Sequence, residues 1–268
     1  MLLITIMIIS IVLSLLGFVL GVYKSIMSLI KAFFALAIGF FLIWFISCFI
    51  CTRFIDMNKD YVDHSRFYWW YTYCIIGIAM QIFRIKLHVN GKEKLPDKKF
   101  MLVCNHRSII DPLVTMKVLK EYRMGFVARH EVYRIPIISR LMHRCNCFYL
   151  NRNDIKESAK TIIKASKCIK EGRASVGVYP EGTRNRGEEM LPFMNGAFKI
   201  AKKANCPIVV ATLKNTGKMH KRAPFRTTNV YLEFVEVLDE KFVEEHNTVE
   251  IGDAARSIME KNLEVEMA

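Results

Sequence analysis

Apolar side chains fill residues 2–22 and 27–51 almost without interruption, and only the short polar break Tyr23-Lys24-Ser25 separates the two runs. Each is close to the roughly 20 residues that a helix needs to cross a hydrocarbon core. The pattern therefore predicts an N-terminal hydrophobic helical hairpin over residues 1–52. A cleaved secretory signal fits poorly, because the first run has no basic leading segment and no small-residue cleavage site. Lys31, inside the second run, suits a helix that spans the bilayer and equally one whose ammonium snorkels from within a single leaflet.

Residues 53–84 read differently. Phe67, Tyr68, Trp69, Trp70, Tyr71 and Tyr73 cluster ahead of an apolar stretch at 74–83. That sequence suits an interfacial aromatic helix at the membrane-water boundary; the alternative is a core helix of the following domain. From residue 85 to 268, short β-rich runs alternate with helical patterns, which predicts an α/β domain, a mixed sheet flanked by helices. The expected strands are 85–89, 100–104, 125–128, 147–150, 175–179, 208–213 and 229–237. The expected helices are 112–120, 137–144, 155–170, 197–204 and 249–264. The helix at 155–170 is the clearest: Ile155, Ala159, Ile162, Ile163, Ser166 and Ile169 recur at helical spacing, and Gly172 stops it. Asn90-Gly91 and Leu95-Pro96-Asp97 mark a turn between the first two strands.

Charge sharpens this division. Through Thr52 the only charged side chains are Lys24 and Lys31, whereas Arg53, Lys59 and Arg66 follow the second apolar run. A positive flank places the following domain on the cytoplasmic face. With 39 basic and 25 acidic residues the formal net charge is +14, which favours anionic partners. Beside a membrane anchor, those partners are lipid headgroups and not nucleic acid. The eight cysteines follow no disulfide framework and read as reduced thiols of a cytosol-facing protein. His143, Cys145 and Cys147 match no common zinc spacing, and no metal site is expected.

Candidate chemistry collects at strand ends. In NHRSIID, Asn105 to Asp111, a histidine and an aspartate stand five positions apart after an apolar run. On a continuous helix that spacing would set the side chains about 140° apart, but a strand-to-helix turn folds them together. His106 would then act as a base held in one tautomer by Asp111. Asp111-Pro112 is also an ordinary way to start a helix, with Asp as N-cap and Pro at the first helical position. In YPEGTR, residues 179–184, the set Glu181, Gly182, Thr183 and Arg184 combines a pliant backbone, a hydroxyl and a guanidinium, a set suited to a phosphate monoester. In FYLNR, Arg152 offers a second planar fork.

Taken in order, NHRSIID, FYLNR, YPEGTR with LPFMNGAFKIA behind it, and Cys206-Pro207-Ile208-Val209-Val210 resemble the four motifs of the HxxxxD glycerolipid acyltransferases, the lysophosphatidic acid acyltransferases above all. The resemblance covers residues 89–238. It implies transfer of a fatty acyl group from a thioester, acyl-CoA or acyl carrier protein, to the free hydroxyl of lysophosphatidate, with no cofactor beyond that co-substrate. It makes His106 the general base and Asp111 its orienter, and it associates Arg152, Glu181, Gly182, Thr183 and Arg184 with the phosphate. Asn105, Ser108 and Pro207 are supporting positions, and Glu181, itself anionic, is expected to orient the arginines. The chain departs from its relatives at Arg129, at Pro136-Ile137-Ile138-Ser139 and at Met194, positions that bear on headgroup and donor specificity.

Direct transfer in a ternary complex follows, with backbone amides near the first motif stabilising the oxyanion. A nucleophilic Ser108 has no GxSxG elbow to support it. Another lysophospholipid, or an amine- or hydroxyl-bearing lipid, stays open as acceptor. So does a non-catalytic adaptor that binds anionic lipid through its basic face.

Overall fold

The computed structural model describes residues 2–62, 65–151, 154–187 and 189–264, leaving aside the side chains of His130 and Tyr133. Seven strands, β1 (Ile85–Asn90), β2 (Met101–Cys104), β3 (Gly125–Arg129), β4 (Phe148–Leu150), β5 (Val176–Val178), β6 (Ile208–Lys214) and β7 (Thr228–Leu238), form one sheet in the order β1-β7-β6-β2-β5-β3-β4. Among the described residues only β6 and β7 pair antiparallel, so the mixed sheet expected from the sequence is what forms. The two strands joined by the Asn90-Gly91 turn are not neighbours, since β7 and β6 lie between them.

Strand alternation builds two cores. Leu102 and Cys104 point to one face with Ile76, Val114, Leu119 and Phe126, while Met101 and Val103 point to the other with Ile169, Phe198, Ile251 and Met259. A central strand covered on both faces buries every residue, which is why β2 reads as a continuous apolar run. Helices α3 (Arg66–Ile82) and α4 (Asp111–Val118) cover the first face; α6 (Ile155–Lys170), α7 (Lys199–Ala204) and α8 (Thr248–Glu264) cover the second. The bounds of α6 are those its periodicity predicts. Asp154 caps it by accepting from the Glu157 N–H at 3.0 Å, and Gly172 follows its end at φ 68°.

Helices α1 (Leu2–Val19) and α2 (Ile26–Arg53) pack against each other as the predicted hairpin. Ser25 and Ser28 form a capping box that opens α2. The polarity of the pair is inside out: Ile6, Ser10 and Ser14 are the buried residues of α1, while Ile4, Ile8, Ile11, Leu15 and other large apolar side chains point outward. At the base, Leu2 joins Phe41, Trp44, Tyr71 and Leu141, the last of these on α5 (Pro136–Arg144). The guanidinium of Arg140 donates to the carbonyl of Ile55 at 2.8 Å and so ties α5 to the exit of α2. On α3, Trp69 and Ile76 enter the core, whereas Phe67 and Trp70 remain about half exposed.

Candidate active site

The parallel strands β2 and β5 end at the same edge of the sheet, and the two chemistry-bearing loops leave from there. Asn105 finishes β2. Its side-chain oxygen accepts from the Leu213 N–H at 2.7 Å and its amide donates to the Leu213 carbonyl at 3.0 Å, so one side chain extends the ladder to β6 by a residue. The next residue, His106, therefore leaves a fixed point.

The His106 ring donates from Nδ1 to Asp111 Oδ2 at 2.9 Å. The same oxygen accepts the backbone N–H of Arg107 and that of Ser108, each at 2.7 Å. Three donors on one oxygen of a fully buried carboxylate leave Asp111 little freedom. Because an ionised carboxylate only accepts, the proton sits on Nδ1, and Nε2 presents its lone pair from a ring that keeps 18% exposure. The helix start differs by one residue from the sequence expectation: Ile110 is the N-cap, Asp111 the first helical residue and Pro112 the second. Asp111 thus turns back to the loop before its helix and does not cap the helix.

Ser108 is 1% exposed and its Oγ accepts from the Ile110 N–H at 3.3 Å, a loop-shaping role. The amides of His106, Arg107 and Ser108 all donate to carboxylates. Of the backbone amides expected to face an oxyanion, these three are already engaged.

The second loop clamps the first. Glu181, 4% exposed, accepts the His106 N–H on Oε1 at 2.8 Å and the Leu191 N–H on Oε2 at 3.2 Å. Asn185 donates its own N–H to the His106 carbonyl at 2.7 Å. Both peptide groups of His106 are therefore held by the segment that follows β5. Glu181 was expected beside the arginines; both of its oxygens instead meet backbone. Gly182 sits at φ 69°, where a Cβ is strained, and its N–H donates to Tyr179 to close the turn. Thr183, Arg184 and Arg186 are exposed beyond it. Arg184, Arg186 and Leu191 line an open depression, and Arg107 reaches the same segment by donating to the Gly187 carbonyl at 2.6 Å.

Tyr179 escaped the sequence reading as a functional position. Its ring stacks on that of His106 with centroids 4.3 Å apart and 22° between planes, and Phe126 backs it at 5.6 Å and 10°. Gly177 allows this column, since a Cβ there would collide with the Phe126 ring. Burial, and then the neighbouring Asp111 carboxylate, push the Tyr179 phenol well above its ordinary range, so it stays neutral. Asn185, Arg107 and Arg186 were also missed. Their signal was proximity: Arg107 lies inside NHRSIID, and Asn185 and Arg186 directly follow YPEGTR.

Arg152 falls outside the described residues. Pro207 precedes β6, and its carbonyl accepts the Met101 N–H at the start of β2. It occupies the opposite edge of the sheet, roughly a strand length from His106, on the order of 15 Å.

A family model described as Acyltransferase matches residues 86–214, the segment from β1 to the end of β6. The chain is 31% identical over 194 residues to a 1-acyl-sn-glycerol-3-phosphate acyltransferase of Borreliella burgdorferi, with 70% of this chain and 76% of that protein covered. It is 28% identical over 186 residues to a probable 1-acyl-sn-glycerol-3-phosphate acyltransferase of Mycoplasma genitalium, covering 67% and 68%. Among solved structures, that of the 1-acyl-sn-glycerophosphate (LPA) acyltransferase PlsC from Thermotoga maritima aligns with a TM-score of 0.61 over 74% of this chain and 79% of that one. At 22% identity the likeness is one of fold.

Proposed function

Because this chain belongs to the acyltransferase family and is an O-acyltransferase, we propose that it moves a fatty acyl group from a thioester to the free sn-2 hydroxyl of lysophosphatidic acid, forming phosphatidic acid for phospholipid biosynthesis. The observation that carries the catalytic assignment is the 2.9 Å contact between His106 Nδ1 and Asp111 Oδ2, which leaves Nε2 as the basic atom.

In the proposed step the acceptor hydroxyl oxygen attacks the thioester carbonyl carbon while its proton passes to His106 Nε2. The imidazolium is stabilised by Asp111. Collapse of the tetrahedral intermediate breaks the C–S bond, and the proton returns from Nε2 to the departing sulfur. No acyl-enzyme forms, which suits a Ser108 that is buried and already hydrogen-bonded. Arg184 and Arg186 meet the acceptor phosphate. With the amides of His106, Arg107 and Ser108 engaged, the charge developing on the carbonyl oxygen falls to the cationic side chains of the two loops, Arg107 first among them.

The hairpin embeds the protein in the bilayer with the catalytic domain on the cytoplasmic side. Buried Ser10 and Ser14 within the helix pair and a majority of large apolar side chains outside it are the reverse of a water-soluble bundle and suit lipid solvation. The donor is acyl-CoA or acyl carrier protein. In mixed micelles, thiol release should require lysophosphatidic acid and fall by about 10²- to 10⁴-fold in His106→Ala. Equal turnover with acceptors that lack a phosphate monoester would overturn the acceptor assignment. A trapped acyl-Ser108 adduct would overturn direct transfer.

A further inference from the structure

We propose that the loop between β6 and β7, residues 215–227, is a second membrane contact, one that docks on anionic lipid headgroups and holds the active-site edge against the bilayer. The inference rests on the reading that the hairpin is membrane-embedded, and it adds a separate element on the other side of His106.

Strand directions locate the loop. Because β6 runs parallel to β2, it ends at the edge that carries His106, and because β7 runs antiparallel to β6, it begins there. The loop thus lies on that edge, where Gly217 approaches the Cβ of Arg107; a methyl at Gly217 would sit 3.8 Å from it. The hairpin leaves the same edge from the other side. Helix α5 starts beyond the end of β3, and the chain leaving α2 advances along it in the same direction, the carbonyl of Ile55 meeting Arg140 at 2.8 Å and that of Lys59 meeting His143 Nε2 at 2.9 Å. Earlier residues of α2 therefore project past the start of α5, away from the sheet. In the strand order, His106 after β2 stands between the β3-β4 side, where the hairpin docks, and the β6-β7 loop. A bilayer that receives the hairpin faces both.

The chemistry of the loop fits that surface. There is no acidic residue between Glu189 and Glu233. Lys218, Lys221, Arg222 and Arg226 are exposed, and among the described residues none of them is in a salt bridge. Phe225, in the same loop, is 86% exposed, an aromatic ring placed to enter the headgroup region. Met219 is fully buried and pins the loop to the core. Surface charge decays within a Debye length of roughly 8 Å at physiological salt, so the loop senses lipid only once the hairpin has brought it close.

Full-length protein in vesicles tests this. Phe225→Trp places an indole in the loop, read as the difference from wild type in quenching by brominated lipids. In phosphatidylcholine vesicles containing phosphatidylglycerol, the introduced indole should be blue-shifted and quenched; in pure phosphatidylcholine at raised salt it should be neither. Each basic residue near an anionic surface contributes roughly a fivefold factor in partitioning, so changing Lys218, Lys221, Arg222 and Arg226 to Ala together should weaken docking by on the order of several hundredfold and abolish the quenching. Solvent-like, unquenched emission in anionic vesicles, with the protein still floating with them, overturns the proposal. So does a charge-removal variant that loses turnover only with acyl carrier protein while its quenching persists, since the loop would then dock the carrier. If that variant fails to fold, Phe225→Trp alone, compared between anionic and neutral vesicles, decides. Quenching needs no turnover, so a wrong acceptor assignment leaves this readout intact, whereas loss of flotation would count against the hairpin.

Discussion

Replacing Glu181 with Gln separates a residue that holds the histidine from one that binds the acceptor. Glu181 takes the His106 N–H at 2.8 Å and the Leu191 N–H at 3.2 Å on different oxygens, in a site only 4% exposed. Glutamine has the same shape but one oxygen. Its amide must face one of the two N–H groups, donor against donor. A hydrogen bond to a charged acceptor contributes about 1.5–3 kcal/mol against about 1 for a neutral one, and a buried unsatisfied N–H costs about 1–3 kcal/mol. Removing a buried carboxylate beside Asp111 offsets part of this, so the expected net loss is about 2 kcal/mol. The loss falls on the peptide of His106, the proposed general base, whose carbonyl remains held by Asn185. A displaced base lowers the rate by about 10- to 100-fold, while the exposed arginines proposed to bind the phosphate are untouched. Steady-state kinetics with lysophosphatidic acid in mixed micelles should therefore give a reduced kcat and a nearly unchanged KM. If KM instead rises tenfold while kcat is preserved, Glu181 belongs to the acceptor site and the reasoning from its hydrogen bonds is wrong.

Other outcomes follow from the same geometry. Tyr179→Phe should stay close to wild type because it keeps the stack on His106, whereas Tyr179→Leu loses an aromatic pair worth about 0.5–1.5 kcal/mol and should lower kcat about 3- to 10-fold; equal losses in both variants would implicate the hydroxyl. Arg184→Ala combined with Arg186→Ala should raise KM for the phosphate-bearing acceptor by about tenfold or more, each lost charged hydrogen bond being worth about 1.5–3 kcal/mol, with a smaller fall in kcat; a fall confined to kcat would remove them from acceptor binding. Burial pushes the thiols of Cys147 and Cys206 up to about 12 and that of Cys168 up to about 11. Above pH 9 the unfolded chain loses these protons and the folded protein keeps them, so stability falls as pH rises through that range, by about 1.4 kcal/mol per pH unit for each thiol. Thermal unfolding in detergent should show a midpoint that drops from pH 9 to 11 and drops less in Cys168→Ala.

Local signals were legible where an element carries its own boundaries. Helix α6 has an apolar stripe to bury and Gly172 to end it, and its span follows from these, with the Asp154 cap found only in the structure. Strand order was not legible, because β1 pairs with β7 across more than a hundred residues and only packing selects that partner. Pro207 shows a case where more could have been extracted. It precedes its strand, whereas NHRSIID and YPEGTR follow theirs; once β2, β5 and β6 are parallel, that difference alone sends Pro207 to the far edge. Glu181 shows the opposite limit, since nothing in EGTR says that a carboxylate will serve backbone amides and not the phosphate side of the loop.

The five-residue spacing in NHRSIID is what brings the acid-base pair and the loop backbone into one unit. His106 leaves the strand, Ser108 turns the chain through the Ile110 N–H, and Asp111 enters the helix with its carboxylate directed backward. That carboxylate can fix the imidazole only by also gathering the Arg107 and Ser108 amides, because all three donors converge on Oδ2. Rigidity of the base is thus obtained with the very N–H groups that a strand-to-helix turn would otherwise offer to an oxyanion. In the proposed mechanism, stabilisation of the developing charge then passes to side chains, and the cations at hand, Arg107, Arg184 and Arg186, border the segment assigned to the acceptor phosphate. In such a site, acceptor binding and transition-state stabilisation draw on neighbouring groups, so an acceptor without its phosphate should lose rate as well as affinity.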